Sequence, residues 1–260
     1  MLVSERLMRI RQELQNRSVL TLREMAERLD ASESTVRRDF DELEKAGALI
    51  RVYGGAMRAK DSVTLTEAIE PDMDEKEVLN NDKKRVLCAE AAKLIRDGDC
   101  VFIDGGTTFR YLFQYLKHRR IKIVTHSLLY LREMQDAQAE IIVAGGHYNP
   151  KYGMNVGQIT SDLLRQFNFD YAFIGCVGVD IQHGAITTAD IETASIKRIA
   201  IRNANRKLLL VDSTKMNTKG FFGFEMINTF DAVFTDAFPE AMERPENVII
   251  CSAESSPERQ

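Results

Sequence analysis

The sequence predicts an α/β chain built in two parts, a short helical head and a larger layered domain, and three observations carry that expectation. Up to about residue 48, apolar residues recur at helical spacing in three short blocks. From Asp82 onward, short apolar runs alternate with helical stretches, which is the pattern of a mostly parallel, doubly wound sheet. Between the two, an acidic, Pro-containing stretch from Lys60 to about Asn80 reads as a connector. The boundaries that follow are residues 1–58 for the head, 59–80 for the linker, 81–252 for the α/β domain and 253–260 for a polar tail.

In the head, Ser4 precedes a helix that turns Leu7, Ile10 and Leu14 inward, and Thr21 to Glu24 (TLRE) is a capping box opening a second helix with Leu22, Met25 and Leu29 inward. Ser32 is a good N-cap for a third helix, SESTVRRDF, and Gly47 a good residue just past its end. Val36, Phe40 and Leu43 fall at i, i+4 and i+7 and share one apolar face, while Ser34, Arg37, Arg38 and Asp41 point roughly the other way. Only Asp30 and Ala31 separate the second helix from the third, the tight connection of a helix-turn-helix, whose second helix lies in the DNA major groove. The run Ala48 to Gly55 is strand-like, ends in two glycines and reads as a wing. On periodicity alone, a helix with two arginines and interspersed acids fits a solvated face equally well.

These positions carry a family resemblance. Arg6, Ile10, Ser32, the run Thr35-Val36-Arg37-Arg38-Asp39-Phe40, and the wing Arg51-Val52-Tyr53-Gly54-Gly55-Ala56 match, with the right gaps, the N-terminal pattern of the DeoR family of bacterial transcriptional regulators. The resemblance implies a double-stranded DNA operator as partner, with Ser34, Thr35, Arg37 and Arg38 in the major groove. Arg23, Arg51 and Tyr53 complete the candidate DNA-binding set; Tyr53 stands where the family usually has histidine and keeps a donor there. An alternative role for Asp39 and Glu42 is to hold the arginines rather than touch DNA.

Charge and composition bound the partners. Residues 1–60 hold 12 Lys and Arg against 10 Asp and Glu, and the remainder 23 against 29. Non-specific affinity for nucleic acid grows with the number of phosphates neutralised. A head this weakly basic therefore argues for a homo-oligomer, dimer or tetramer, presenting several reading helices to a repeated site. No apolar run approaches the roughly 18 residues of a membrane span, and the N-terminus MLVSERLMRI is charged where a signal peptide is apolar, so the expectation is a cytoplasmic protein with no membrane partner. Cys88, Cys100, Cys176 and Cys251 lie far apart with no CxxC and read as reduced core residues. Neither a metal nor a cofactor is expected.

In the α/β part the expected strands are CVFID (100–104), IKIVT (121–125), EIIVAGG (140–146), YAFIG (171–175), KLLLVD (207–212), DAVFTD (231–236) and NVIIC (247–251). The expected helices are KKRVLCAEAAKLI, TTFRYLFQYLK, SLLYLREM (127–134), one around Ser161 to Phe167 and one from about Ala189 to Ala204. Doubly wound sheets bind ligands at the carboxyl ends of their strands. Asp104-Gly105-Gly106-Thr107-Thr108 stands at one such end: the glycines let backbone N–H groups converge, the threonines add hydroxyl donors, and the helix N-terminus adds positive charge, which makes an anion cradle. Thr125-His126-Ser127 and Asp212-Ser213-Thr214-Lys215 stand at two others, the lysine able to meet a phosphate as a point charge. Each alone is also a plain helix cap or strand-end turn. Together they describe a pocket for something small, hydroxylated and anionic.

The DeoR resemblance runs on through these loops and adds the segment Phe173 to Asp180, with Gly178 and Asp180, and then Gly184 followed by Glu192 and Lys197. It implies a phosphorylated sugar or sugar-like effector that alters DNA affinity. The same domain is similar to ribose 5-phosphate isomerase, which supplies an alternative of another class, a sugar phosphate isomerase-like enzyme with Glu192 at the position of the catalytic carboxylate. Val177 and His183 stand where that enzyme carries an acid and a lysine. Isomerisation needs a base and groups that stabilise an enediolate, so no catalytic residue is assigned. The expectation is a DNA-binding regulator, a repressor of sugar uptake or catabolic genes; an activator whose effector strengthens DNA binding would use identical residues.

Overall fold

The computed structural model describes residues 2–17, 19–45, 48–52, 54–58, 64–66, 70, 73–131, 133–216, 218–240 and 242–252, without the side chains of residues 15, 16 and 58. Gly47, Tyr53 and the polar tail 253–260 lie outside the described residues.

The spacing of apolar residues in the head is realised as three helices, α1 (Val3–Asn16), α2 (Leu22–Leu29) and α3 (Glu33–Lys45). They bury Ile10, Leu14, Met25, Val36, Phe40 and Leu43 against one another, each worth roughly 1.5–3 kcal/mol. Two expected caps are made: Thr21 Oγ1 accepts from the Glu24 amide and Ser32 Oγ from the Thr35 amide, both at 3.2 Å. The third is not. The first helix already starts at Val3, so Ser4 lies inside its first turn and caps nothing. Asp30 closes α2 in the left-handed region (φ 47°), a conformation aspartate tolerates better than most residues, and the chain re-enters a helix at Glu33. The wing is a hairpin of β2 (Leu49–Val52) and β3 (Gly55–Arg58), joined on the β3 side by the short β1 (Val19–Thr21).

The linker holds more structure than its composition indicates: β4 (Thr64–Leu65) and α4 (Met73–Val78) both form. Beyond it come α5 (Asn81–Ala92), β5 (Cys100–Ile103), α6 (Thr108–Leu116), β6 (Lys122–Thr125), β7 (Glu140–Val143), β8 (His147–Asn149), β9 (Met154–Val156), α7 (Gln158–Leu164) and β10 (Phe169–Ile174). The chain continues through β11 (Gly178–Asp180), β12 (Ala185–Thr188), α8 (Ile191–Arg202), β13 (Ala204–Leu210), β14 (Lys219–Gly220), β15 (Phe222–Met226), β16 (Ala232–Thr235) and β17 (Val248–Ile250).

The seven apolar runs become one parallel sheet in the order β17-β16-β13-β10-β5-β6-β7. Leu87, Leu112 and Phe113 of α5 and α6 cover one face, while Leu164, Ala194 and Ile196 of α7 and α8 cover the other. The path runs outward in one direction from β5 and in the other from β10, so the strand order reverses between these two neighbours. That is the switch point at which such sheets open a crevice.

Two features depart from expectation. In place of the helix expected over 127–134, Ser127 makes a bridge, residues 129–131 form a turn and Glu133–Asp136 a 3-10 turn. Ser127 bridges to Met154, and Tyr130 is drawn inward, its hydroxyl donating to the Asp104 carbonyl at 2.8 Å. Those tertiary bonds override the local helical period. A separate antiparallel sheet, β11-β12-β15, packs beside the main one, and β4 of the linker pairs with β14 next to it. Among the described residues no helix is long and apolar enough to cross a membrane. The four cysteines are free; burial pushes the Cys176 thiol up to about 11 and that of Cys251 up to about 12.

Candidate DNA-binding face and ligand pocket

On α3 the apolar stripe is fully turned into the head, which leaves Ser34 and Arg38 exposed one turn apart. The other candidates sit differently. Arg51 is held on the wing: its Nη1 donates to Asp41 Oδ1 at 2.7 Å and to the Arg37 carbonyl at 3.1 Å, its guanidinium lies 5.5 Å from the Phe40 ring centre, and burial pushes its pKa down. It fastens the wing to α3. Arg37 is half-buried, Thr35 is half-buried with its hydroxyl 2.9 Å from that of Ser32, and Arg23 is exposed with Glu27 at 3.5 Å. Asp39 does hold an arginine, but on another helix. Its buried carboxylate takes Arg6 Nε at 2.7 Å and Nη2 at 2.9 Å, a two-pronged brace between α1 and α3.

At the switch point a cleft opens. The Gly105–Thr108 loop forms one wall, and Lys215 reaches in from the end of β13. Gly106 sits at φ 111°, a backbone conformation that favours glycine. Among the described residues the amides of Gly106 and Thr107 donate no hydrogen bond, so they are available to an anion.

Beneath the loop, fully buried, Asp104 ties four elements together. Its Oδ1 accepts from the Gly105 amide at 2.8 Å and lies 3.3 Å from His126 Nε2; its Oδ2 accepts from the Gly175 amide at 2.9 Å and from Lys197 Nζ. Burial pushes this carboxyl up, but Lys197 and His126 outweigh it and leave the pKa at about 2. Asp104 therefore shapes the cradle from below instead of lining it. Thr125, His126 and Ser127 are likewise buried under the site, His126 donating through Nδ1 to the Asn155 carbonyl at 2.8 Å.

The remaining candidates lie away from the cleft wall. Gly178 lets the chain pass Thr218, whose carbonyl oxygen would stand 2.1 Å from any Cβ there. Asp180 holds His183 Nδ1 at 2.9 Å and Lys219 at 2.8 Å, and Gly184 (φ 70°) turns the hairpin of β11 and β12. Glu192 is exposed on the first turn of α8, while the next residue, Thr193, and Lys197 one turn further on line the cleft together with Thr188 and Val177. The sequence pattern thus finds the helix and misses the face.

Sequence reasoning also missed three contributors. Lys76 and Glu70 line the cleft from the linker, with Tyr152 beside them. Lys84, fully buried on α5, donates to the Lys76 carbonyl and, at 3.0 Å, to Thr107 Oγ1; burial and then Lys215 push its pKa down to about 7. A signal for it existed. Lys84, Leu87, Cys88 and Ala91 share one helical stripe, and a lysine heading a buried stripe asks for an anion or a polar anchor. Among the described residues, no group of three His, Cys, Asp or Glu side chains is placed to hold a metal.

A winged helix-turn-helix with an exposed reading helix, joined to a doubly wound domain with an anion cradle at its switch point, defines a ligand-responsive DNA-binding regulator. Residues 6–62 match the DeoR-like helix-turn-helix domain and residues 79–237 the DeoR C terminal sensor domain, and the chain belongs to the DeoR family of transcriptional regulators. It is 32% identical over 238 residues to the uncharacterized HTH-type transcriptional regulator FruR of Bacillus subtilis, covering 91% of this chain and 92% of that one. It is 34% identical to the lactose phosphotransferase system repressor of Lactococcus lactis, over 84% of each chain. Among solved structures, ribose 5-phosphate isomerase A of Methanocaldococcus jannaschii aligns with 53% of this chain and 55% of that one at 19% identity and a TM-score of 0.40, a likeness too slight to bear on activity. Family membership makes the protein a regulator and not an enzyme.

Proposed function

We propose that the protein represses genes of sugar uptake or catabolism and that a phosphorylated sugar, bound at the switch-point cleft, alters its operator affinity. The observation that carries the reading is the cleft itself: free amides at Gly106 and Thr107, the hydroxyl of Thr108, and lysines 76, 197 and 215 converging from three separate elements. A phosphate dianion answers all of them, since charge-assisted hydrogen bonds are the strong ones. Threonines 188 and 193 face the same space and suit sugar hydroxyls. The naming of several relatives as repressors of a sugar phosphotransferase system points the same way.

On the DNA side, Ser34 and Arg38 read the operator, with Thr35 and Arg37 at the groove edge and the wing, including Tyr53, against the backbone. The protein works as a homo-oligomer, because one weakly basic head neutralises few phosphates. The effector acts by favouring the arrangement of heads that no longer matches the operator spacing, which only differential affinity for two states achieves. The test is a thermal-shift panel of pentose and hexose monophosphates, followed by titration of the active compound into the operator complex. Stabilisation by a sugar phosphate and not by the parent sugar is the expected result; no stabilisation by any member overturns the reading.

A further inference from the structure

The linker carries two opposite charges into the cleft. Lys76 of α4 forms a hydrogen-bonded ion pair with Glu70, both side chains largely buried, and Glu70 also accepts from the Tyr152 hydroxyl at 3.0 Å. Lys76 Nζ stands 5.6 Å from the centre of the Tyr152 ring. Among the described lining residues Glu70 is the one carboxylate, set against Lys76, Lys197 and Lys215, and Lys197 is already held by Asp104. The backbone at Lys76 is tied to the cradle as well, since its carbonyl accepts from Lys84 and, at 3.3 Å, from Thr107 Oγ1. Three residues further on, Leu79 is buried in the core of the head with Ile10, Leu14 and Phe40. A cation next to the DNA-reading core thus stands in the wall of an anion pocket with an internal carboxylate upon it.

We propose that Lys76 is a ligand-binding residue of this pocket and that Glu70 is its internal competitor, holding the lysine until the anionic group of the effector takes it. The proposal rests on the sugar phosphate reading and adds the residues through which the linker senses the ligand. A phosphate on the Gly106 and Thr107 amides brings two negative charges to Lys76 where Glu70 brings one. When the phosphate takes the lysine, the tie to Glu70 and Tyr152 is lost, and α4 moves with Leu79 against the core of the head. That is a contact made differently in the two states, as ligand-driven change requires.

The test compares Lys76→Met, which keeps the stem over Tyr152, with Glu70→Gln in the full-length protein, titrating inorganic phosphate and the active compound of the panel by thermal shift and calorimetry. Lys76→Met is expected to weaken phosphate binding about ten- to a hundredfold, the size of a lost charge-assisted contact. Glu70→Gln removes the competitor and is expected to tighten it several-fold, with the operator-release curves moving in the same two directions. An ion pair that only braces the linker gives a different signature, because breaking it from either side loosens the segment alike. Shifts of the same sign in both variants, or none in either while wild type binds, overturn the proposal and leave the pocket reading intact. Wild-type protein that binds neither phosphate nor any member of the panel overturns the pocket reading itself. If Lys76→Met does not fold, Lys76→Gln takes its place, and unchanged or weakened binding in Glu70→Gln alone is sufficient to reject the idea.

Discussion

In the head, charges are matched within the fold: Arg6 meets Asp39, Arg28 meets Glu13 at 2.8 Å, and Arg51 meets Asp41 at 2.7 Å, so that Arg38 stands out as an exposed cation on the reading helix. In the pocket cations predominate: Lys76, Lys197 and Lys215 line it against one lining carboxylate among the described residues, Glu70, with Asp104 beneath holding Lys197. Burial pushes the pKa of Lys76 and of Lys84 down and the charge of Lys215 adds to it, while Glu70 opposes the shift at Lys76 and Asp212 at Lys84. Matched charges build a frame around the exposed face of α3 that carries Ser34 and Arg38, the residues proposed to read DNA. Crowded like charges favour an anion, which is why the proposed ligand is a phosphate.

The comparison is broken most severely at Asp104, whose buried pair with Lys197 underlies the cradle. Replacing it with alanine strands Lys197, His126 and two amides, and the α/β domain is expected to lose about 3–5 kcal/mol, read as a lower midpoint in urea denaturation. A midpoint within error of wild type removes Asp104 from the framework. Next comes Lys215→Ala, which removes the proposed phosphate contact, worth roughly 1.5–3 kcal/mol, or about ten- to a hundredfold in effector affinity. Operator affinity without effector stays near that of wild type, and the effector concentration needed for half-release rises by the same factor. Superimposable release curves place the phosphate elsewhere.

On the DNA side, Arg38→Ala is expected to weaken operator binding by about 1–3 kcal/mol if its contact is bidentate to guanine, with the unfolding curve unchanged. Arg51→Ala sharpens the contrast, since its loss loosens the wing and lowers the stability of the head along with its affinity. A gel-shift titration at fixed salt that finds Arg38→Ala equal to wild type takes that residue out of the interface.

The smallest effect is a pH dependence. With its pKa at about 7, Lys84 is partly neutral near neutrality. A bound phosphate dianion favours the charged lysine, so binding takes up a proton and weakens as pH rises above 7, by at most about tenfold per pH unit for a single proton. The phosphate itself is already doubly ionised there, its second pKa being about 6. Calorimetry in buffers of different ionisation enthalpy reads the proton directly. Lys84→Met is expected to flatten the profile, and an unchanged slope assigns the proton to another group.

How much of this was legible in the sequence depends on the range of the interaction. Caps at Thr21 and Ser32, the stripe Val36-Phe40-Leu43 and the turn at Asp30 are decided within one or two helical turns, and each is found where the spacing puts it. The seven strands of the parallel sheet were legible for a related reason, since strands buried on both faces read as continuous apolar runs. The antiparallel sheet β11-β12-β15 was not, because its strands are short and polar residues such as Asp180 and Thr187 interrupt them. The SLLYLREM segment misled for the converse reason: its helical period is real, but bonds from Ser127 and Tyr130 to distant strands outweigh it.

By itself the sequence determined the two-part architecture, the helix α3 with Ser34 and Arg38 outward, and the glycine-rich loop Gly105–Thr108 at a strand end, because a helix face or a glycine-rich loop is set by neighbours along the chain. Only the tertiary structure decided that Asp104 and His126 lie beneath the cradle, that Thr193 and not Glu192 faces the cleft, and that Lys76, Glu70 and Lys84 belong to the site at all. Those assignments depend on which way α8 is rotated and on linker residues reaching the strand ends at the switch point. Both are set by packing between segments far apart in sequence, and such packing leaves no period in the chain.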